Sequence, residues 1–249
     1  MLNKNYLLGI ELHESLPSDS YLVHLPVIKN LGKIKRLTFN APVTFLVGEN
    51  GTGKSTLLEA IAVAVGFNPE GGGRNFTFST NDSHSELWKY LDTLKGFVPK
   101  DGYFLRAESL YNLASNIDEM DNLPSFDPPV INSYGGVSLH KQSHGESFLS
   151  LIQNRFGGNG LYILDEPEAA LSPMRLLTLL AEIDRLVESD SQIIIATHSP
   201  ILMAYPNAEI VELKRDSIHK TAYTETEHYK ITKQFLDNPD RMLKYLLEK

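Results

Sequence analysis

The segment GENGTGKST, at residues 48–56, constrains the fold of this chain more than any other feature. It fits the pattern G-x-x-x-x-G-K-[ST], in which a glycine-rich turn joins a strand to a helix. The apolar run at residues 43–47 predicts a buried strand before the turn, and apolar residues at helical spacing follow it. Backbone N–H groups and the positive end of the helix can then converge on phosphate oxygens. The alternative, a flexible glycine turn with a surface lysine, does not explain this context.

The pattern also assigns roles to individual residues of the turn. Lys54 is expected to reach the β- and γ-phosphates of a nucleotide, and the Ser55 hydroxyl to ligate Mg²⁺. The sequence therefore predicts a site for ATP and Mg²⁺. The expected nucleotide contacts are Gly48, Glu49, Asn50, Gly51, Thr52, Gly53, Lys54, Ser55 and Thr56.

Composition excludes several classes of protein. The 249 residues include no cysteine, which rules out disulfides and zinc–thiolate sites and fits a cytoplasmic protein. The net charge of −8 argues against a chain whose whole surface coats nucleic acid. The cluster Lys29, Lys33, Lys35 and Arg36 is more typical of a solvated loop and strand edge than of a binding patch. No apolar run reaches membrane-spanning length, and acidic residues interrupt the N-terminus too early for a secretory signal, so we expect no membrane insertion.

Strand-like and helix-like segments alternate, which predicts a mostly parallel sheet with helices on both faces. The capping-box spacing of Ser83 and Glu86 predicts a helix through Leu87, Leu91 and Leu94. Ser172-Pro173 predicts the start of a second helix, and Asn238-Pro239 that of a closing helix. The second helix should bury Leu176, Leu177, Leu180, Ile183 and Val187. The expected strands are residues 6–12, 34–39, 43–47, 75–79, 103–105, 162–164, 193–196 and 210–213.

A second segment, LYILDEPEAALSP at residues 161–173, places two carboxylates directly after an apolar strand. Strand ends of this kind lie at the sheet edge where open α/β folds bind ligands. Asp165 is expected to hold Mg²⁺ opposite Ser55, and Glu166 to orient and deprotonate an attacking water. The alternative is a helix N-terminus that carries acidic residues for electrostatic reasons. The phosphate-binding turn in the same chain favours the functional interpretation.

A third segment, IIIATHSP at residues 193–200, ends a buried strand in a histidine. A histidine in such a place is more often structural than catalytic. If this strand runs parallel to the Asp165 strand, His198 ends at the same edge. It would then reach the γ-phosphate or the water that Glu166 positions.

The three segments together resemble the ATP-binding-cassette (ABC) superfamily of ATPases, and more closely its soluble SMC-, RecF- and RecN-like branch than its transporters. Residues 48–56 match Walker A, residues 161–166 match Walker B with the catalytic glutamate, and His198 matches the switch histidine. Residues 170–172 match the D-loop. The resemblance spans about residues 6–213. It implies an α/β P-loop NTPase fold, with a mostly parallel sheet, an N-terminal antiparallel β part and a small helical subregion.

The same resemblance implies a signature motif that binds the γ-phosphate held by a second subunit. The candidate is QSHGES at residues 142–147, in which Ser143 and Gly145 match the family pattern while His144 and Glu146 depart from it. The helix that follows would direct its positive end at the phosphate. The alternative is a polar loop followed by a helix cap.

The family's Q-loop glutamine is not found in its usual form. Glu108, in the segment FLRAES, is the suggested replacement, near the metal and with Arg106 beside it. A strand end with a salt bridge explains the segment equally well.

These inferences predict one ABC-type ATPase domain over residues 1–249, with the helical subregion at about residues 82–155. Only 88 positions separate Ser55 from Ser143, so no long coiled coil is inserted. The first functional hypothesis is an ATP-hydrolysing enzyme, with Lys54, Glu166 and His198 as catalytic residues, that forms a head-to-tail homodimer with ATP. The second is a slowly hydrolysing, nucleotide-gated module for a nuclease, toxin or DNA-repair partner. The third and least favoured is the ATPase subunit of a transporter.

Overall fold

The strand before the glycine-rich turn lies inside a six-stranded sheet in the computed structural model. The structure describes residues 4–13, 16–17, 19–73, 85–124 and 128–247. Within these ranges the strands are β1 (Leu7–Leu12), β2 (Arg36–Thr38), β3 (Val43–Val47), β4 (Leu91–Lys95), β5 (Asp101–Arg106), β6 (Gly160–Asp165), β7 (Gln192–Ala196), β8 (Glu209–Leu213) and β9 (Ile218–Thr221).

Helices connect most of these strands. The α-helices of the described ranges are α1 (Pro26–Ile34), α2 (Lys54–Ala64), α3 (Leu110–Asn122), α4 (His144–Arg155), α5 (Pro173–Glu188), α6 (Pro200–Met203), α7 (Glu227–Asp237) and α8 (Pro239–Leu247). Short 3₁₀ helices cover Tyr21–His24, Glu86–Tyr90, Val130–Tyr134, Leu139–Lys141, Pro167–Ala169 and Tyr223–Glu225. No helix in the described part of the chain has the length and apolarity needed to cross a bilayer.

The larger sheet has the strand order β5-β6-β7-β3-β8-β9. Every neighbouring pair in it is parallel except β8 and β9, which are antiparallel. A smaller antiparallel sheet has the order β2-β1-β4. The mostly parallel sheet and the N-terminal antiparallel part are therefore confirmed.

Both faces of the larger sheet are buried. Successive side chains of a strand point to opposite faces, so neighbouring residues pack into different core clusters. Phe45 and Ile195 belong to the core cluster that includes residues of α3, α4 and α5. Leu46 and Ile194, one position away on the same strands, belong to the cluster that includes residues of α1, α2 and the smaller sheet. This two-sided burial explains why β3, β6 and β7 consist almost entirely of apolar residues.

Gln192 at the start of β7 connects the two sheets. Its side-chain oxygen accepts hydrogen bonds from the backbone N–H groups of Tyr6 (2.9 Å) and Leu7 (2.8 Å). Its side-chain nitrogen donates to the Leu7 carbonyl at 2.8 Å. Gln192 is fully buried, so these three backbone groups have a partner where water does not reach. One amide thereby holds the smaller sheet against the larger one.

Several sequence expectations need correction. The helix expected through Leu87 and Leu91 is wrong, because a 3₁₀ helix over Glu86–Tyr90 leads directly into strand β4. Leu177 was expected in the buried stripe of α5 but is exposed, whereas Leu179 is buried. Residue Ile34, expected in a strand, ends α1. The expected strand at residues 75–79 and the cap Ser83 lie outside the described residues.

Replacing Gln192 by methionine should destabilise the protein by about 2–4 kcal/mol, because Tyr6 N, Leu7 N and the Leu7 carbonyl each lose a buried partner. Urea unfolding measures the loss. Gln153→Met is the matched control, since Gln153 hydrogen-bonds Glu182 at the exposed surface. Equal free-energy changes for the two variants would show that Gln192 does not connect the sheets.

Candidate functional site

Four neighbouring strands of the larger sheet end at the same edge. Strands β5, β6, β7 and β3 are parallel and adjacent, so their carboxyl ends lie side by side. Arg106, Asp165 and Ala196 are the final residues of the first three, and the glycine-rich turn follows the fourth. The expectation that His198 and Asp165 follow parallel neighbouring strands is confirmed.

Glycine is required at two positions of the turn. Gly48 has a φ of 147°, and a Cβ there would lie 2.2 Å from the Leu213 carbonyl oxygen. Gly53 has a φ of 96°, and its Cβ would lie 2.5 Å from Val27 Cγ1 of α1. Neighbouring backbone and helix α1 thus leave no room for a side chain at either end of the turn. The turn passes directly into α2, whose first residue is Lys54.

Lys54 lies buried near Asp165, the last residue of β6, and Glu166, which follows it. Its ammonium donates hydrogen bonds to the carbonyl oxygens of Gly48 (2.8 Å) and Glu49 (2.9 Å). Burial lowers the Lys54 pKa, and the nearby charges of Glu166 and Asp165 oppose this shift. The lysine is therefore part of the cluster at the sheet edge, with its donors turned toward the loop.

Asp165 is a buried carboxylate at this edge, with 5% of its surface exposed. Its carboxylate is hydrogen-bonded by the Ser55 side chain and lies 3.4 Å from Arg106 Nε. Burial raises its pKa to about 6, while Arg106 and Ser55 oppose the rise. Among the described residues, Asp165 Oδ1 has no hydrogen-bond partner. The described part of the chain thus leaves this buried oxygen unsatisfied.

Arg106 connects Asp165 to Glu59 of α2. Its guanidinium lies 2.6 Å from Glu59 Oε2, and Glu59 Oε1 accepts the Ser85 backbone N–H at 2.9 Å. The strand-end salt bridge that the segment FLRAES suggested is therefore present, and Arg106 forms it. Glu108 is exposed, and its charge contributes to the raised pKa of Asp165. The role of Glu108 as a Q-loop replacement stays a prediction.

Glu166 has a backbone conformation that is unusual for a non-glycine residue, with φ of 48° and ψ of 53°. Its N–H donates to the Ala196 carbonyl at 3.0 Å, which fixes this turn against β7. The side chain is 39% exposed, and its Oε1 lies 3.7 Å from His198 Nε2. The conformation thus turns Glu166 away from the buried Asp165 and toward solvent and the histidine.

Glu168 is a third carboxylate that the sequence interpretation did not assign. It accepts a hydrogen bond from the Thr197 hydroxyl at 2.8 Å and another from the His198 backbone N–H. Its pKa is raised by burial, although these hydrogen bonds oppose the shift. Glu168 therefore anchors the loop that carries His198. Its position in the acidic run DEPE, at the end of strand β6, is the sequence feature that could have indicated it.

His198 contacts a second histidine that no motif indicated. Its Nδ1 lies 2.9 Å from Nε2 of His228, which belongs to the first turn of α7. Burial lowers the pKa of both rings, and the charge of Lys54 lowers them further. The site therefore includes a residue beyond residues 6–213, the part covered by the family resemblance.

The candidate signature residues begin α4. Ser143 precedes the helix, and its backbone N–H and hydroxyl both donate to Glu146 Oε2, at 2.9 and 2.6 Å. Arg175 of α5 donates to Ser143 Oγ at 3.1 Å and lies 3.0 Å from Glu146 Oε1. A Cβ at Gly145 would lie 2.4 Å from an Arg175 nitrogen. Arg175 therefore packs directly on the segment, a contact that the sequence did not indicate.

The fold and this edge define a P-loop NTPase of the ABC type. A family model described as "AAA domain, putative AbiEii toxin, Type IV TA system" matches residues 79–204, about half of the chain. A model described as "AAA domain" matches residues 27–100. The chain belongs to this family of AAA-domain proteins and is an ATPase.

Two relatives agree with this assignment. The cytochrome c biogenesis ATP-binding export protein CcmA of Legionella pneumophila (strain Paris) is 26% identical over 180 residues, which are 68% of this chain and 86% of that protein. CbiO1 from Clostridium perfringens, part of the ABC transporter complex cbiONQ, superposes with a TM-score of 0.52 at 18% identity, over 98% of this chain and 100% of the other. The second similarity shows the fold alone.

A third similarity is weaker. The SMC head domain from Thermotoga maritima gives a TM-score of 0.43 at 16% identity, with 88% of this chain and 99% of that chain covered. This value is too low to support an argument about function.

Replacing Asp165 by asparagine should stabilise the nucleotide-free protein at pH 7.5 by about 1–3 kcal/mol. The folded-state pKa is raised from 3.8 to about 6, so the folded protein binds this proton more tightly than the unfolded chain. The wild type therefore loses stability as pH rises from about 4 to 6, and the Asp165→Asn substitution removes that loss.

Urea unfolding in EDTA at several pH values measures this difference. Asp240→Asn, in the first turn of the exposed helix α8, is the control and should change stability by less than about 0.5 kcal/mol. A destabilised Asp165→Asn variant above pH 6 would contradict the assignment of Asp165 as a costly buried charge.

Proposed function

We propose that this ATPase binds Mg²⁺-ATP at the sheet edge and hydrolyses it between two copies of the chain. The observation that carries the proposal is the Asp165 carboxylate beside Ser55, with one buried oxygen that lacks a partner among the described residues. A carboxylate and a hydroxyl, completed by phosphate oxygens and water, suit the coordination that Mg²⁺ prefers. We also propose that the protein is cytoplasmic and that residues 1–249 form one ATPase domain.

Ser55 and Asp165 would hold the Mg²⁺, with Glu108 nearby at the end of the neighbouring strand. The bound ion would neutralise charge on the triphosphate as it is transferred. Arg106 lies beside Asp165 on the side of β5 and partly opposes the rise in the Asp165 pKa that burial causes. The raised pKa of Asp165 in the metal-free protein fits a carboxylate that a bound cation would stabilise in its ionised form.

Lys54 and the loop would bind the phosphates. The Lys54 ammonium would exchange the carbonyl oxygens of Gly48 and Glu49 for β- and γ-phosphate oxygens, which are better acceptors because they are charged. The backbone N–H groups of residues 49–56 and the start of α2 would supply further donors. Binding therefore requires a change of partners for Lys54 rather than a rearrangement of the fold.

Glu166 would orient and deprotonate the attacking water. Its exposed side chain and the neighbouring His198 Nε2 lie on the solvent side of Asp165, where the γ-phosphate would be held. His198 would donate a hydrogen bond to that phosphate, and Glu168 would keep the histidine loop in place. Positioning of this kind supplies most of the catalysis in phosphoryl transfer.

Ser143 and Gly145 of a second copy would complete the site in a head-to-tail dimer. The N-terminus of α4 offers backbone donors and a positive dipole end. Arg175 balances the Glu146 carboxylate, which would otherwise repel a phosphate. Hydrolysis would remove the γ-phosphate that joins the two copies and release them.

The chief alternative is a nucleotide-gated module with slow turnover that regulates a toxin, nuclease or DNA-repair partner. The description of the matching family, which names a toxin system, favours this alternative, as does the engagement of Ser143 with Glu146 and Arg175. Steady-state turnover with and without DNA distinguishes it from the first proposal. A third alternative is a transporter ATPase, which the similarity to an ATP-binding export protein of Legionella favours. Co-purification with a membrane subunit would test it.

Glu166→Gln should leave Mg²⁺-ATP binding intact, reduce turnover at least about a hundredfold and accumulate a dimer, since only the proton acceptor is lost. Size-exclusion chromatography with Mg²⁺-ATP and a phosphate-release assay measure these effects. Glu119→Gln, on the exposed side of α3, is the matched control. A Glu166→Gln variant with wild-type turnover would refute the assigned base.

Ser143→Arg in the Glu166→Gln background should abolish the ATP-dependent dimer without loss of nucleotide binding by the monomer, because the larger side chain would block the partner's phosphate. Analytical ultracentrifugation and titration with a fluorescent ATP analogue separate the two properties. Ser133→Arg, at an exposed position of the same subregion, should leave the dimer intact. Dimerisation of both variants would exclude the composite site.

A further inference from the structure

The first turn of α7 places His228 at the Nδ1 side of the His198 ring, whereas Glu166 lies at its Nε2 side. The ring centroids of the two histidines lie 5.1 Å apart, with a 2.9 Å contact between His198 Nδ1 and His228 Nε2. The buried Thr226 caps the start of α7, since its hydroxyl accepts the Tyr229 N–H at 3.3 Å and donates to the Tyr223 carbonyl at 2.8 Å. These hydrogen bonds fix the first turn of α7, to which His228 belongs.

A contact between two neutral imidazoles needs one donor and one acceptor. His198 Nε2 faces Glu166 Oε1 at 3.7 Å, and among the described residues it has no hydrogen-bond partner. For this nitrogen to donate to a γ-phosphate it must carry the proton, which leaves Nδ1 of the neutral ring as an acceptor. The proton between the rings must then belong to His228 Nε2.

The electrostatic surroundings favour neutral rings. Burial and the charge of Lys54 lower the pKa of His198, and burial, His198 and Lys54 lower that of His228. Glu166 opposes the shift at His198, and Glu227 and Glu212 oppose it at His228. Because both rings are neutral, the contact between His198 and His228 determines which nitrogen of each ring carries the proton. It does not determine the charge of the rings.

We propose that His228 is a positioning residue that holds His198 as the Nε2–H tautomer and so directs a hydrogen-bond donor at the γ-phosphate of bound ATP. This inference rests on the proposed role of His198. His228 does not itself contact the nucleotide in this arrangement. Its loss should therefore affect the turnover step, in which charge develops on the γ-phosphate, more than ATP binding.

The test compares three substitutions of His228. Gln places its amide nitrogen at the position of His Nε2, Asn places it one bond short, and Phe removes the donor while it keeps a ring. His228→Phe and His228→Asn should lower kcat about 5- to 10-fold with KM within about twofold, whereas His228→Gln keeps kcat within about twofold of wild type. Lys233→Gln, an exposed position of the same helix, is the control and should match wild type.

Two-bond ¹H–¹⁵N NMR spectra of ¹⁵N-histidine-labelled protein give a readout that a purely structural role would not change. The His198 signals, identified by their loss in His198→Ala, should show a protonated Nε2 and an unprotonated Nδ1 in wild type and His228→Gln. They should show mixed tautomers in His228→Phe and His228→Asn. If His228→Phe does not fold, the comparison of His228→Gln with His228→Asn tests the proposal.

Each outcome separates the two proposals. If His198→Ala leaves kcat unchanged, the proposed role of His198 fails. If His198→Ala lowers kcat while His228→Phe and His228→Asn do not, the role of His198 stands and this inference is overturned. A wild-type spectrum of the Nδ1–H tautomer would also overturn it.

Discussion

The arrangement of the site depends on one constraint: three parallel strands, β6, β7 and β3, are direct neighbours and end at the same sheet edge. Because β7 lies between the other two, the residues that follow it contact both sides. On the β6 side, the Ala196 carbonyl accepts the Glu166 N–H, and Glu168 accepts the His198 N–H. On the β3 side, the Thr197 N–H donates to the Leu46 carbonyl at 3.1 Å. A change in the order of these strands would separate Lys54, Asp165 and His198, so the strand order determines whether the site exists.

Charge burial at this edge is costly, and the protein only partly compensates for it. Arg106 lies between Glu59 and Asp165, and Ser55 adds a hydrogen bond to Asp165. The pKa of Asp165 nevertheless remains raised, to about 6, because desolvation outweighs these partners. This unfavourable burial of charge in the nucleotide-free protein fits the proposed site. A bound cation would supply the partner that the Asp165 carboxylate lacks, and its binding would stabilise the folded protein.

The sequence predicted the elements whose signal is local. Strand β3 was predicted with its observed bounds, because all five of its residues are apolar or β-branched and the glycine-rich turn follows at once. The spacing of Leu87 and Leu91 was misread as helical, because the strand partner that decides their conformation, β1, lies far away in the chain. The contacts of Arg106 with Glu59 and of His198 with His228 could not be predicted, since no motif joins them and only the packing of α2 and α7 brings them together.

The most direct measurement is a crystal structure with Mg²⁺ and a non-hydrolysable ATP analogue, in which the position of the Lys54 ammonium is determined. Lys54 Nζ should leave the carbonyl oxygens of Gly48 and Glu49 and lie within hydrogen-bond distance of the β- and γ-phosphates, with the metal beside Ser55 and Asp165. A triphosphate bound elsewhere, or bound while Lys54 keeps both carbonyl contacts, would contradict it.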